Sequence, residues 1–254
     1  MRTSNVVFKR LRNLDYNSSE SATMTGVGIK SGILLLVCLV SACISIILFK
    51  ALSIQMFAAY FLAIIGTIVF QLIITFNPDT AKALSIPYVI CEGISIGVIC
   101  DLMELALPGE GFALAGGALM ITLGIVLAAT ILYSHAGLRA KPGFIKFFII
   151  LIFGISIASI FFAITSLILS LTAGISLWSM YIGSSLSILV SVIMVIISSI
   201  YIFITIQQTD DIVSYGIEKS YEWYAAFGIA IAVIWLFLEI LELLLKIAAR
   251  RNSD

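Results

Sequence analysis

Charged residues are scarce in this chain of 254 residues. Asp, Glu, Lys and Arg together make up 11% of the sequence and apolar residues 61%, with a mean hydropathy of +1.18. A soluble domain carries about 25% charged residues, so the composition excludes that class and indicates an integral membrane protein. The 14 basic residues balance the 14 acidic ones, which leaves no net positive field to attract nucleic acid.

Residues that build metal centres and enzyme sites are also few. The sequence has four cysteines and one histidine. All four cysteines lie in apolar runs without Cys-x-x-Cys spacing, where a thiol behaves as a small hydrophobe. No nucleophile–base pair, phosphate-binding glycine loop or zinc-ligand spacing occurs. We therefore predict no enzyme activity, no resident metal and no cofactor, with calcium considered only as a bound or transported ion.

Long apolar runs account for most of the chain. A helix needs about 20 apolar residues to cross a hydrocarbon layer, and turn residues such as Asn77-Pro78-Asp79 and Lys141-Pro142-Gly143 separate runs of that length. Residues 1–24 are polar and predict a mobile cytoplasmic arm, followed by a membrane domain at residues 25–251. The predicted fold is an all-α integral membrane protein with seven transmembrane helices, at residues 32–49, 54–76, 84–107, 112–134, 147–171, 178–206 and 224–248.

The positions of the basic residues predict the orientation in the membrane. With the N-terminus inside, ten Lys and Arg residues fall on the cytoplasmic side and four on the other. Cytoplasmic loops carry the Lys and Arg excess, so the N-terminus is predicted to be cytoplasmic and the C-terminus external. Arg250 and Arg251 in the tail argue against an external C-terminus, and a last segment that re-enters and returns stays an alternative.

Carboxyl groups within the predicted spans are the candidate functional residues. An unpaired carboxylate in hydrocarbon takes up a proton, finds a partner or lines a wet cavity, because its burial is otherwise too costly. Glu239 lies in the apolar run from Ile234 to Leu241, with no basic residue in its span before Lys246, so the neutral acid is its favoured state. Glu242 lies three residues further along the same helix face.

Glu92 is the corresponding candidate in the third predicted span. It lies about 12 Å into that helix, next to Gly93-Ile94-Ser95-Ile96-Gly97, a spacing of small residues that allows another helix to approach closely. Asp101 and Glu104 lie near the outer end of this span, where we interpret them as hydrated interfacial acids. Further acids follow the sixth span or precede the seventh at the membrane edge: Asp210, Asp211 and Glu222.

Four segments carry recognisable motifs. They are Met24-Thr25-Gly26 with Lys30-Ser31-Gly32, Pro87 to Gly97, Tyr133 to Arg139, and Glu222-Trp223-Tyr224-Ala225-Ala226-Phe227-Gly228 continuing through Glu239 to Leu244. The second resembles a Tyr-x-x-x-Glu-Gly-x-x-x-Gly signature, with Glu92 as its glutamate. The third resembles a Tyr-x-x-Gly-x-x-Arg loop with one extra residue. Together they resemble the Bax inhibitor-1/YccA family, of the transmembrane Bax-inhibitor-motif fold, in its bacterial branch.

The resemblance implies a fold in which the last helix is central and wrapped by the other six. It also implies a pH-sensitive leak of calcium or protons across the bacterial cytoplasmic membrane, governed by an acidic pair at the ends of helices six and seven. Glu239 occupies the seventh-helix position. In the sixth helix, where relatives often read Leu-Asp-x-Asp-x-Ile, Gln208 stands at the first acid and Asp210 at the second.

This departure weakens the expected acidic pair, since glutamine can form hydrogen bonds but cannot share a charge. Asp210 or Asp211 can substitute only if the sixth helix continues past Ile206. Whether Glu239 pairs with Glu92 or with the segment from Gln208 to Asp211 therefore stays open. The predicted ion-pathway or pH-sensing residues are Glu239, Glu92, Asp210, Asp211, Gln208 and Glu242.

Two functions follow as hypotheses. The first is a leak or exchanger for calcium or protons in contact with the lipid bilayer, with Glu239 as its protonation switch. The second is a non-conducting regulatory partner of a membrane protease or another membrane complex, in which the N-terminal arm and exposed helix faces carry the contact. A purely structural role ranks third.

Overall fold

The computed structural model describes residues 21–136, 139–173, 181 and 184–251, with backbone alone at 49–57, 136 and 185. These residues form helices and no strands, and one isolated antiparallel bridge joins Ser21 and Glu218. Two short 3-10 helices precede longer helices at Pro78–Thr80 and Lys219–Tyr221. The α-helices are Met24–Phe76, Ala81–Ala106, Gly111–Ala136, Pro142–Ala173, Ser185–Ser214 and Glu222–Arg251.

Within the described residues, seven segments are long and apolar enough to cross a membrane, which confirms the predicted seven-span fold. The helix Met24–Phe76 contains the first two, and each later helix contains one. We number these segments as spans 1 to 7: Met24–Leu48, Ala58–Phe76, Pro78–Ala106, Gly111–His135, Pro142–Thr172, Leu186–Ser214 and Lys219–Arg251.

The predicted start of the first span was eight residues late, because a helix cap sets it. Thr23 has an extended backbone, and its Oγ1 accepts a hydrogen bond from the Gly26 N–H at 3.0 Å. This bond satisfies one of the N–H groups that a helix leaves unpaired at its first turn. The polar arm therefore ends in a cap, and the helix begins directly after it.

The predicted end of the sixth span was also wrong. The helix continues past Ile206 to Ser214, so Asp210 and Asp211 lie within its last two turns and not beyond it. Its 30 residues extend about 45 Å, which exceeds the roughly 30 Å of hydrocarbon in a bilayer. The polar turns can therefore stay helical at the membrane edge. The predicted beginning of this span at Trp178 lies outside the described residues, as do residues 1–20 of the predicted arm.

The chain divides into two units. The first contains Met1–Leu102 and Gln208–Ile231, and the second contains Met103–Gln207 and Ala232–Asp254. Span 7 contributes to both. In the first unit its Phe227 packs edge-on against Tyr88 of span 3 at 4.9 Å between ring centroids. In the second unit its Trp235 packs against Tyr201 of span 6 at 5.4 Å. Span 7 thus packs against span 3 within the first unit and against span 6 within the second.

Apolar side chains cover most of the outer surface of the spans. Span 5 is the extreme case, because only 6% of its most apolar 18-residue stretch is buried. Hydroxyl groups on the same helices donate to backbone carbonyls one turn earlier, as in Ser156 to Ile152 and Thr165 to Phe161. A surface of this kind satisfies its polar groups internally and is suited to contact with lipid.

Candidate functional site

Glu239 lies at the middle of the last helix, and its partner is on that helix. The Trp235 Nε1–H donates to Glu239 Oε1 at 2.8 Å, one turn apart. The residue is half-buried, and Trp235 in turn packs edge-on against Tyr201. Glu239 therefore has a polar partner and is held away from full solvent exposure.

Glu242 and Lys246 form an ion pair on the next turns of the same helix. The Lys246 Nζ lies 2.5 Å from Glu242 Oε1, with side chains 8% and 52% exposed. Lys246 also donates to Ser191 Oγ of span 6 at 2.8 Å and lies 5.2 Å from the ring centroid of Tyr181. The lysine that sequence reasoning placed only at the end of the span is therefore a buried cation.

Glu92 lies within span 3 and accepts a hydrogen bond from the Tyr88 hydroxyl, also on its own helix, at 3.0 Å. Tyr88 is buried and is positioned by its ring contact with Phe227. Glu92 and Glu239 thus share one arrangement, in which an aromatic side chain four residues earlier donates to the carboxyl. The donor Tyr88 and the acceptor Glu92 both belong to the Tyr-x-x-x-Glu-Gly-x-x-x-Gly signature found in the sequence.

The glycines after Glu92 bring span 1 against span 3, which confirms the predicted close approach. A Cβ at Gly93 would overlap Ser41 Oγ and the Cys38 carbonyl oxygen. A Cβ at Gly97 would lie 2.5 Å from the Ala42 carbonyl oxygen. Ser45 of span 1 donates to the Ile94 carbonyl at 3.1 Å, a hydrogen bond between the two helices.

The amide that the structure buries in span 6 is Gln207, next to the predicted Gln208. Gln207 accepts from the Ala140 N–H at 2.7 Å through Oε1 and donates to the Ala140 carbonyl at 3.2 Å through Nε2. Gln208 is exposed, and Asp210 and Asp211 are half-buried. Sequence reasoning missed Gln207 because two adjacent glutamines look alike until the packed face of the helix is known.

Glu222 is the most deeply buried carboxyl among the described residues, although the sequence suggested only a residue at the membrane edge. Its side chain is 2% exposed and lies 2.5 Å from Lys30 Nζ of span 1. It also accepts from the Thr23 N–H at 2.8 Å and from the Thr23 hydroxyl at 3.1 Å. The signal for this cluster was present, since Lys30 and Glu222 both stand within segments that carry the family resemblance.

The acids at the outer end of span 3 differ from the hydrated pair that we predicted. Glu104 accepts from the backbone N–H groups of Gly109 at 2.7 Å and Phe112 at 3.0 Å, so it caps the start of span 4. Asp101 is buried at 6% exposure. The role of Glu104 is therefore structural.

The predicted pathway residues are distributed over both units. Glu92, Gln208, Asp210 and Asp211 belong to the first, and Glu239 with Glu242 belongs to the second. The structure brings Glu242 to Lys246 and places each of Glu92 and Glu239 beside an aromatic donor. A pairing of Glu239 with Glu92 or with the segment from Gln208 to Asp211 stays a prediction.

The first and last residues of the Tyr133 to Arg139 motif lie close to each other. The Arg139 guanidinium lies 5.7 Å from the centroid of the Tyr133 ring, a distance suited to a cation–π contact. Gly137 between them lies outside the described residues.

Comparison with known proteins gives one match, to a family model. No curated protein and no solved structure matches this chain. The family model described as "Bax inhibitor 1 like" matches residues 5–249, which include all four motif segments and all seven spans except the last two residues of span 7. The chain therefore belongs to the Bax inhibitor 1 like family.

Proposed function

We propose that this protein is a pH-sensitive leak for protons or calcium in the bacterial cytoplasmic membrane, with its N-terminus in the cytoplasm and Glu239 as the protonation switch. The observation that carries the proposal is the place of Glu239, half-buried at the middle of the last helix and hydrogen-bonded to Trp235 at 2.8 Å. The proposal includes no catalytic reaction and no resident cofactor. Calcium enters it only as a transported ion.

The switch follows from the different needs of the two forms of the carboxyl. In the neutral form, one oxygen accepts the Trp235 N–H and the group carries no charge that has to be hydrated, so the helices can close on an apolar interior. In the ionised form the carboxylate needs further donors or water, because one indole N–H does not replace its hydration. Ionisation therefore favours a hydrated, open arrangement over the closed one.

The neighbourhood of Glu239 supports this assignment. Glu242 is 52% exposed at its side chain and lies on the same helix face, so it offers a polar contact between the middle of the helix and its end. Lys246 and Ser191 continue the polar face. Polar side chains inside a membrane span are costly and commonly mark ion or proton pathways.

The test is flux into liposomes that contain the purified protein, measured for protons and for calcium between about pH 6 and pH 8. Glu239→Gln keeps the size of the side chain and removes its ionisation, so it should abolish the pH dependence. Asp79→Asn, at an exposed acid in the 3-10 helix that begins span 3, is the matched control and should keep the wild-type profile. An unchanged pH profile in Glu239→Gln, or no flux in the wild type, contradicts the proposal.

A non-conducting regulatory role is the second candidate, and one observation favours it. The Ala22 N–H donates to the Ile217 carbonyl at 2.7 Å, and Thr23 is bonded to Glu222, so the arm departs from a fixed point on the protein. An arm held in this way can present a partner-binding segment to a membrane protease.

The two functions are separated by deleting residues 1–20, which leaves Thr23 and its cap in place. A regulatory role requires loss of protease control in cells that carry this deletion and unchanged control in Glu239→Gln. A leak requires the opposite pattern, with flux lost or made insensitive to pH only in the Glu239 variant.

A further inference from the structure

Two lysines at the beginning of span 5 carry charges that the protein itself does not neutralise. Lys141 directly precedes the helix Pro142–Ala173, and Lys146 is its fifth residue. Both residues are exposed. Neither ammonium forms a hydrogen bond or an ion pair within the part of the chain that the structure describes. Both ammonium groups are therefore available to a ligand from outside the protein.

The sequence around these lysines supplies no negative charge. No Asp or Glu stands between Glu110 and Asp210, so spans 4 and 5 and the turn between them contain none. Arg139 adds a third positive charge to the same turn, where its guanidinium lies 5.7 Å from the ring centroid of Tyr133. This segment therefore carries a net positive charge, and a ligand that complements it is an anion.

The turn and the helix are held in place against span 6. Gln207 makes two hydrogen bonds to the backbone of Ala140, at 2.7 Å and 3.2 Å. Phe148 of span 5 is 3% exposed and packs in one apolar cluster with Ile197 and Ile204 of span 6. Because Phe148 faces span 6, the opposite face of span 5 points away from the protein.

Lys146 lies at the head of that outer face. Residues 146, 150, 153 and 157 are spaced by four, three and four positions and so share one side of the helix. Ile150, Phe153 and Ile157 are 70%, 67% and 52% exposed. They form an apolar stripe that, measured from Lys146, is about 16 Å long. This length is about half of the roughly 30 Å of hydrocarbon in a bilayer and therefore matches one leaflet.

The level of Lys146 in the membrane follows from what comes after it. No charged residue stands between Lys146 and Asp210, so the lysine marks the point at which the chain enters the hydrocarbon. Lipid phosphate groups lie just outside that boundary, and a lysine there extends its ammonium toward them. Lys141 is about 8 Å further from the hydrocarbon along the helix axis, a distance at which its charge still acts on the same headgroup.

We propose that Lys146, assisted by the charge of Lys141, binds the headgroup of an anionic phospholipid whose acyl chain lies along Ile150, Phe153 and Ile157. A zwitterionic headgroup brings its own cation, which the two lysines repel, whereas an anionic headgroup gains from both of them. The apolar stripe distinguishes a lipid from a soluble phosphate ester, which has no chain to place on it. This inference does not depend on the proposed function.

The experiment is native mass spectrometry of the protein in a neutral detergent. Phosphatidylglycerol and phosphatidylcholine with identical acyl chains are added in equal amounts, and the two singly bound species are compared. We expect the wild type to prefer phosphatidylglycerol by about tenfold or more. Lys146→Gln should lower this preference by about fivefold, because one lysine near the headgroup is lost, and Lys146→Arg should keep it. Higher salt should weaken it.

Lys82→Gln is the matched control, since it removes an exposed lysine at the start of span 3, where Asp79 stands three residues earlier. It should keep the wild-type preference to within about twofold, as expected for a charge that solvent and a nearby acid screen. Glycerol phosphate in excess is the second control and should not displace phosphatidylglycerol. Circular dichroism confirms that the variants, all at exposed positions, are folded.

Each opposing result overturns a stated part of the inference. Equal binding of the two lipids by the wild type contradicts an anionic-lipid site. A full preference for phosphatidylglycerol in folded Lys146→Gln contradicts the assignment to Lys146, and an equal loss in Lys82→Gln reduces the effect to the overall charge. Displacement by glycerol phosphate contradicts a lipid as the occupant. No flux is measured, so the presence or absence of a leak does not affect these readings.

Discussion

Lys30 and Glu222 are 192 residues apart in sequence and form an ion pair whose carboxylate is almost fully buried. The Nζ–Oε2 distance is 2.5 Å, and the side chains are 17% and 2% exposed. Two bonds from Thr23 to Glu222 complete the cluster. The pair joins the first turns of span 1 to the first residue of the helix that carries Glu239.

The two partners should differ in their effect on stability when each is removed. Lys30→Met leaves a buried carboxylate with only the Thr23 donors, and breaking a buried pair in this way costs about 3–5 kcal/mol. Glu222→Gln leaves an amide that still accepts from Thr23, and Lys30 is exposed enough to reach water. We expect the thermal midpoint in detergent to fall by about 6 °C or more in Lys30→Met, and by less in Glu222→Gln.

Lys82→Met is the control for this comparison, because Lys82 is exposed on span 3. Its midpoint should stay within about 2 °C of the wild type. Equal losses in Lys30→Met and Lys82→Met would show that the Lys30–Glu222 pair contributes nothing to stability.

Gly26 should not tolerate any side chain, because the Glu222 carboxylate of the ion pair occupies the space beside it. A Cβ at this position would overlap the Glu222 carboxylate, whereas a Cβ at Gly28 meets nothing within 4 Å. Gly26→Ala has to displace the carboxylate from Lys30 and should destabilise the protein by about 1–3 kcal/mol. Gly28→Ala should stabilise the helix slightly, by up to about 1 kcal/mol. Thermal midpoints of the two variants that move in the same direction would contradict this account.

Much of the fold was predictable because the bilayer imposes it. Each predictable feature reflects a local requirement. The apolar runs have the length needed to cross the bilayer, the residues between them allow the chain to turn, and the small residues after Glu92 allow two helices to approach closely. The pairing of Lys30 with Glu222 was not predictable from the residues alone, since nothing local specifies which of the 14 acids meets a given lysine. Both residues stood in family motifs, but the motifs did not say that they touch.

The helix ends were predicted less well than the spans. Hydropathy marks where apolar side chains stop, but hydrogen bonds decide where the helix stops. The Thr23 cap begins span 1 before its apolar run, and span 6 continues through the polar residues Asp210 and Asp211 to Ser214. Asp210 and Asp211 therefore lie within the helix. The sequence analysis required this continuation past Ile206 before either acid could replace the missing member of the acidic pair.

Close packing of spans 1 and 3 gives a third prediction. A Cβ at Gly97 would lie 2.5 Å from the Ala42 carbonyl oxygen and 2.7 Å from Ser45 Cβ, so Gly97→Ala should push the two helices apart. We expect a loss of about 1–3 kcal/mol, seen as a lower thermal midpoint. Gly116→Ala on span 4 is the control, because a Cβ there meets nothing within 4 Å. A midpoint for Gly97→Ala at or above that of Gly116→Ala would be incompatible with the close contact.

The fourth prediction concerns two adjacent glutamines, Gln207 and Gln208. A family resemblance aligned Gln208 with a functional position, but packing decides which of the two side chains is buried. Successive residues on a helix point about 100° apart, so a shift of one position moves a side chain from the packed face to the exposed one. Gln207 makes two bonds to the backbone of Ala140, while Gln208 is exposed. Gln207→Leu would leave the Ala140 N–H and carbonyl without these partners, at a cost of about 2 kcal/mol or more. Gln208→Leu should change the thermal midpoint in detergent little. A larger loss in Gln208→Leu than in Gln207→Leu would contradict the assignment of the buried, hydrogen-bonded amide to Gln207.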